Sequence, residues 1–124
     1  MDTAKKKFLS REEILQINDL PTEDVYIEQW GAWVRVRGLT AAERDKFEQS
    51  IIERKGKSTQ MNLQNIRAKL VALCVVDENG NRIFTDADVE ALGKKSAQAL
   101  DKIFSVAQKL SGLTPEDVEE MLGN

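Results

Sequence analysis

The stretch Asp24-Val25-Tyr26-Ile27-Glu28-Gln29-Trp30-Gly31-Ala32-Trp33-Val34-Arg35-Val36-Arg37-Gly38-Leu39 decides how the chain begins its fold. Val25 and Ile27, then Val34 and Val36, alternate with polar or aromatic residues, the period-two signal of half-buried strands. Gly31-Ala32 can serve as a two-residue type II′ turn, with glycine at the first central position. A β-hairpin over about 24–39 follows, and that turn sets its register. Ile27 falls opposite Val36 and Gln29 opposite Val34 on one face. Tyr26 falls opposite Arg37, Glu28 opposite Arg35 and Trp30 opposite Trp33 on the other. The second face then gathers a cation–π pair, an ion pair and an aromatic pair, each worth roughly 0.2–1 kcal/mol in a sheet. A one-residue slip would scramble all three.

Toward the N-terminus, residues 1–8 are polar and basic without a period and read as a flexible arm. Ser10 and Glu13 form an S-x-x-E capping box, with Leu9 and Ile14 at the staple positions around it. A short helix over about 11–17 follows and is stopped by Leu20-Pro21, because the residue before proline is pushed out of the helical region.

Toward the C-terminus the pattern becomes helical. Thr40 and Glu43 make a second capping box and open a helix over about 41–55, with Phe47 and Ile51 on one face and Gly56 past its end. Residues 56–61 are small and polar and read as a loop. Asn62 is placed to cap a helix over about 62–75. Leu63, Ile66, Leu70 and Leu73 keep helical spacing there, and Ala68, Val71, Ala72 and Cys74 widen the stripe, so this is the central helix. Val75-Val76, Glu78-Asn79-Gly80-Asn81 and Arg82-Ile83-Phe84 suggest a tight turn between two very short strands. Thr85 and Asp88 cap a brief helix over about 86–93. Ser96 caps a longer one over about 97–110, whose apolar face is Leu100, Ile103, Phe104, Ala107 and Leu110. Thr114-Pro115 starts a last helix over about 115–122. The expected fold is α+β, mainly α: an N-terminal β-hairpin packed on a bundle of four to five helices, in one domain over 9–124.

Composition narrows the function. The chain has 124 residues, 18 Lys+Arg against 21 Asp+Glu and no histidine. Catalysis by Ser-His-Asp or Cys-His, zinc held by histidine and a histidine pH switch are all removed. A net charge of −3 and a pI near 5.1 argue against nucleic acid as a partner, since phosphate contacts need a clustered positive face. Cys74, the one cysteine, reads as a buried small hydrophobe. Leu, Ile, Val and Phe make up 33 of the 124 residues, above the level of a disordered chain. The longest apolar run, Leu70 to Val76, is far short of the roughly 20 residues that span a bilayer. Lys5-Lys6-Lys7 is followed by Ser10-Arg11-Glu12-Glu13 rather than by the apolar core of a signal peptide. The chain reads as soluble, intracellular and without a membrane partner.

No motif declares a reaction. Asp77-Glu78-Asn79-Gly80-Asn81 starts like a calcium loop, but Arg82 stands at position 6, where glycine is needed, and Asp88 at position 12, where a bidentate Glu belongs. Asn-Gly turn chemistry explains the same residues. Glu116, Asp117, Glu119 and Glu120 lie in the first turns of a helix, where they complement its dipole. G-x-G-x-x-G, a P-loop and G-x-S-x-G do not occur. No catalytic residue, metal ligand or cofactor is assigned. The hairpin face that holds Tyr26, Trp30, Trp33, Arg35 and Arg37 has two readings. Either the tryptophans pack on each other and on the helices, or the face binds a protein partner, since Trp, Tyr and Arg dominate interface hot spots. The open strand edges could also accept a partner's strand.

Segments in order along the chain resemble one known family. Lys7-Phe8-Leu9-Ser10-Arg11-Glu12-Glu13-Ile14, the hairpin from Glu28 to Thr40, Leu70-Val71-Ala72-Leu73-Cys74-Val75-Val76-Asp77 with Gly80-Asn81-Arg82-Ile83-Phe84, and Asp86-Ala87-Asp88-Val89-Glu90-Ala91-Leu92-Gly93 are similar to the small tail assembly chaperones of long-tailed bacteriophages and prophages. The likeness runs from about 7 to 122 and carries no catalytic signature. It implies a non-enzymatic role: binding the long helical tape measure protein, keeping it soluble and helping recruit tail tube subunits. Such a protein works in the cytoplasm of the bacterial host and is absent from the mature virion. Many members also have a longer frameshifted form, and a chain ending at Asn124 would correspond to the short one. Covering a long helical client calls for several copies, so self-association is expected. Two other readings are a structural head–tail joining or tail completion protein and a small regulatory adaptor.

Overall fold

Reciprocal caps open the helices where the sequence places them. The Ser10 amide donates to Glu13 Oε1 at 3.0 Å and the Glu13 amide to Ser10 Oγ at 3.2 Å, starting α1 (Arg11–Gln16). Thr40 and Glu43 do the same, both at 3.0 Å, for α2 (Ala41–Ser50). The computed structural model describes residues 6–55, 58–61, 63–114 and 116–117. The chain runs through α1, β1 (Thr22–Ile27), β2 (Ala32–Arg37), α2, β3 (Ile52–Lys55), β4 (Ser58–Met61), α3 (Ile66–Cys74), β5 (Val75–Val76), a 3₁₀ turn (Asp86–Asp88), α4 (Val89–Leu92) and α5 (Ala97–Leu110). The fold is α+β and mainly helical.

The hairpin forms, but its turn and register differ from the sequence reading. Its strands are joined by the four residues Glu28-Gln29-Trp30-Gly31, not by Gly31-Ala32. Gly31 does take a positive φ of 64°, but as the last residue of the loop. Val25 therefore pairs with Val34, Asp24 with Arg35, and Tyr26 with Trp33. The expected register would have put Gln29 opposite Val34 on the core side, whereas the observed one matches apolar with apolar, acid with base and ring with ring. The partner of each residue moves by four positions. An even shift leaves every side chain on its expected face, so Val25, Ile27, Val34 and Val36 still point to the core.

The hairpin is also extended by a third strand. β5 pairs antiparallel with β2 through Arg35–Val76 and Val36–Val75, giving the strand order β1-β2-β5. The second edge of β2 is thus occupied. After β5 the chain folds back, with Val76 bridging Arg82. In that turn Asp77 Oδ1 accepts from the amides of Asn79 (2.8 Å) and Asn81 (3.0 Å), and Gly80 takes φ 85°. The aspartate is used as a turn residue.

The helix expected over 41–55 ends at Ser50. The Ser50 hydroxyl donates back to the Phe47 carbonyl at 2.7 Å, and Lys69 Nζ takes the Ser50 carbonyl at 2.9 Å. The last carbonyls thereby find partners outside a continuing helix. The β-branched pair Ile51-Ile52 then leads into an extended strand. In place of the loop over 56–61, β3 and β4 pair as a second hairpin, from Ile52–Met61 to Lys55–Ser58. The helix expected over 62–75 begins at Ile66 after Asn65, which has φ 60°. Its expected cap Asn62, Gly56 and most of the last helix over 115–122 lie outside the described residues, as does most of the arm over 1–8.

α3 is the centre of the core. Seven of its nine residues are buried: Ile66, Ala68, Leu70, Val71, Ala72, Leu73 and Cys74. Ala99, Leu100, Ile103 and Ala107 of α5 pack on it, the inner sheet face supplies Val25, Ile27 and Val36, and α2 supplies Phe47. Each large apolar side chain so covered contributes about 1.5–3 kcal/mol. Polar ties hold the sheet to the helices. Lys109 reaches Glu23 at 2.7 Å, Lys102 Nζ donates to the Tyr26 carbonyl at 2.5 Å, and Gln29 Nε2 donates to Gln98 Oε1 at 3.2 Å.

Candidate protein-binding surface

The solvent face of the sheet is built by the alternation that fills the core. With Val25, Val34 and Val36 turned inward, Asp24, Tyr26, Trp33 and Arg35 must point outward. Tyr26 and Trp33 are cross-strand partners, and their rings meet edge to face, with centroids 5.4 Å apart and planes at 66°. Trp33 is nonetheless 66% exposed and Tyr26 39% exposed. Among the described residues no helix covers this pair, because α5 packs on the opposite, inner face.

Arg35 sits beside the rings. Its Nε and Nη2 donate to the two carboxylate oxygens of Asp24 at 2.7 and 3.1 Å, and Nη1 donates to the Glu78 carbonyl at 3.3 Å. The fork orients the guanidinium across the strands. The hydrogen bond from Arg35 holds the Asp24 carboxyl below its ordinary pKa. Glu28, the expected partner of Arg35, is in the turn. The acid that pairs with Arg35 is Asp24, which is found only once the register is known.

Trp30 and Arg37 leave this group. Trp30 belongs to the turn, where its amide donates to the Ile27 carbonyl at 3.0 Å, and its side chain is 38% exposed. It makes no pair with Trp33; the ring facing Trp33 is Tyr26. Arg37 lies on the same strand face, but its guanidinium is committed internally. It meets Glu43 Oε1 at 2.5 Å and the carbonyls of Gly38 (3.1 Å) and Leu73 (3.4 Å). The cation–π pair expected between Arg37 and Tyr26 is replaced by this strut, which ties β2 to the start of α2 and the end of α3. The structure thus brings together Tyr26, Trp33 and Arg35, and separates Trp30 and Arg37 from them.

Two apolar features were not singled out from the sequence. Ile83, after the turn, is 52% exposed and shares a groove with Trp33. Around α1, Phe8, Leu9, Ile14, Leu15 and Ile17 are all exposed, Phe8 by 83%, and α1 has no buried residue. A six-residue helix with two large apolar residues inside it, Ile14 and Leu15, and three beside it, Phe8, Leu9 and Ile17, is the sequence signal for the second feature.

A family model of phage tail assembly chaperones matches residues 16–121. The chain belongs to the phage tail assembly chaperone family. This is a family of non-enzymatic assembly factors. The fold is similar to the solved structure of the bacteriophage HK97 tail assembly chaperone, with a TM-score of 0.55 and 13% identity, covering 73% of this chain and 85% of that one. Among curated proteins no match is found.

The space between α2, α3 and the 3₁₀ turn, about 390 Å³, has an apolar floor that includes Phe47, Leu73 and Val89. Three of its charged groups have partners: Lys46 meets Asp86 at 2.7 Å, and Lys69 Nζ donates to the Ser50 carbonyl at the end of α2 at 2.9 Å. Among the described residues, the carboxylates whose pKa moves clearly, such as Asp24, Asp86 and Asp117, move down and stay ionised, the reverse of what a general acid requires. Burial pushes the Cys74 thiol up to about 12, which disfavours a thiolate nucleophile. Among the described residues, no group of three or more acidic or cysteine side chains could hold a metal ion, and no helix is long and apolar enough to cross a membrane.

Proposed function

We propose that the outer sheet face, with Tyr26, Trp33 and Arg35 and with Trp30 at its margin, binds apolar stripes of the tape measure protein. The chaperone keeps that client soluble in the bacterial cytoplasm and helps bring tail tube subunits to it. It leaves before the virion is complete, and it acts as several copies along the client's length. The observation that carries this reading is the Tyr26–Trp33 pair, fixed edge to face across two strands with Trp33 66% and Tyr26 39% exposed. Rigid aromatic rings lose little side-chain entropy on docking, and the adjacent Arg35 supplies polar contacts at the rim.

Titrating a helical tape measure fragment into the chaperone, with tryptophan emission as the signal, tests the surface. Saturable binding that Trp33→Ala weakens tenfold or more supports it. Equal affinity for the variant and the parent contradicts it. Mass spectrometry of purified virions tests departure, which requires the chaperone to be missing from them.

A further inference from the structure

We propose that the groove between Trp33 and Ile83 makes the outer sheet face selective for helical stripes in which an apolar residue has a lysine or arginine one turn away. The inference rests on the client surface of the proposed function and names the class of stripe that surface accepts. The groove, about 360 Å³, lies at the outer side of β2 and β5 and has a floor of strand valines. Its walls are apolar and open, with Trp33 66% and Ile83 52% exposed. A leucine or phenylalanine side chain of a client fits between them. Its charges do not balance: Asp24, Asp77 and Glu78 stand against Arg35 alone, a local net charge of −2 in a chain whose total is −3.

The excess charge is gathered at the turn after β5. The Arg35 fork takes both carboxylate oxygens of Asp24, at 2.7 and 3.1 Å, and so neutralises that acid. Nη1 of Arg35 goes to the Glu78 carbonyl at 3.3 Å, which leaves the Glu78 carboxylate outside the fork. Asp77 spends Oδ1 on the amides of Asn79 and Asn81, contacts that shape the turn without cancelling its charge. Among the described residues neither Asp77 nor Glu78 forms an ion pair, and Glu78 is exposed. Trp33 adds its ring face, to which a cation is also drawn. A client cation there gains from the carboxylates and the ring, whereas an acidic client residue is repelled and a neutral one gains neither. On a helix, residues three and four apart lie on one face about 5–6 Å from each other, so the apolar side chain in the slot and the cation at the turn come from successive turns. Apolar contact alone accepts any apolar stripe; the uncancelled charge discriminates among them.

The test uses the full-length chaperone and three labelled helical peptides that share one leucine stripe. The residues beside the stripe are all lysine, all glutamine or all glutamate. Fluorescence anisotropy gives each affinity at about 50 mM salt and again at about 500 mM, where exposed charges are strongly screened. At low salt the lysine peptide is expected to bind at least tenfold more tightly than the glutamate peptide, with glutamine between them. High salt should shrink that ratio to about twofold. Glu78→Lys, verified as folded by circular dichroism, should likewise cancel the preference and leave the glutamine peptide bound as before. Glu116→Lys makes the same change in total charge outside the groove and should keep the preference. Equal affinity of the parent for the three peptides, a lysine preference that survives Glu78→Lys, or one that Glu116→Lys removes equally would each overturn the charge selection and leave the aromatic surface standing. A parent that binds none of the peptides would overturn that surface and the selection together.

Discussion

Tyr26 and Trp33 face each other across β1 and β2, with ring centroids 5.4 Å apart and planes at 66°, on the side of the sheet opposite the core. The pair is held by strand register, while its outer surface stays open. Trp33→Ala should therefore separate stability from function. Urea unfolding should show a loss of no more than about 1.5 kcal/mol, the scale of an aromatic pair without deep burial. Client affinity should fall by a much larger factor. A variant that unfolds readily would place Trp33 among the core residues instead.

Arg37 should behave in the opposite way. Its guanidinium and the Glu43 carboxylate are 14% and 18% exposed, and Glu43 also accepts the Thr40 amide that caps α2. Arg37→Ala leaves a largely buried carboxylate without its cation and should cost about 2–4 kcal/mol in chemical denaturation. The double variant with Glu43→Ala should lose less than the sum of the two single losses, because both remove the same contact.

Acid should weaken the fold through exposed pairs acting in the same direction. Hydrogen bonds from Arg35 and Lys46 hold Asp24 and Asp86 below the ordinary value of 3.8, and the Thr114 backbone and hydroxyl do the same for Asp117. A carboxylate depressed in the folded state contributes its stability above its unfolded pKa and loses it as pH falls through the folded one. The melting temperature should thus be nearly flat down to about pH 5 and fall below about pH 4. Asp24→Asn should lower the neutral plateau slightly and make that fall shallower by the same small amount, because the stability lost in acid is the stability the ionised pair contributes at neutral pH.

Cys74 should be silent in the native state. It is buried in α3, and its thiol pKa is pushed up to about 12. At pH 8 a thiol-alkylating reagent should label it only as fast as the chain opens, and urea should accelerate the labelling sharply. Rapid labelling of the folded protein would contradict the central placement of α3.

The residues that sequence alone could place are those whose signal is local. Ser10, Thr40 and Thr85 announce helix starts because each cap spans only three residues. The stripe of α3 and the face of α5 follow from spacing along one element. The alternation of Val25, Ile27, Val34 and Val36 fixed which residues face outward even though the turn was misplaced, because an even register shift preserves the faces. What the sequence hides depends on partners far along the chain. Asp24 meets Arg35 only in the observed register. Arg37 is drawn to Glu43 and to the Leu73 carbonyl by the docking of α2 and α3. β5 finds β2 across nearly forty residues, and Ile52 leaves the helix for a second hairpin once Lys69 caps α2. The Trp33–Ile83 groove exists only after these distant segments have met.

The most direct measurement is the soluble fraction of a tape measure protein co-expressed with this chain. Co-expression with the parent chaperone should keep most of the client in the supernatant. Trp33→Ala with Tyr26→Ala should return the client to the pellet, while the variant itself stays folded. A client that is equally soluble with the parent, with the double variant and with no chaperone at all would contradict the account.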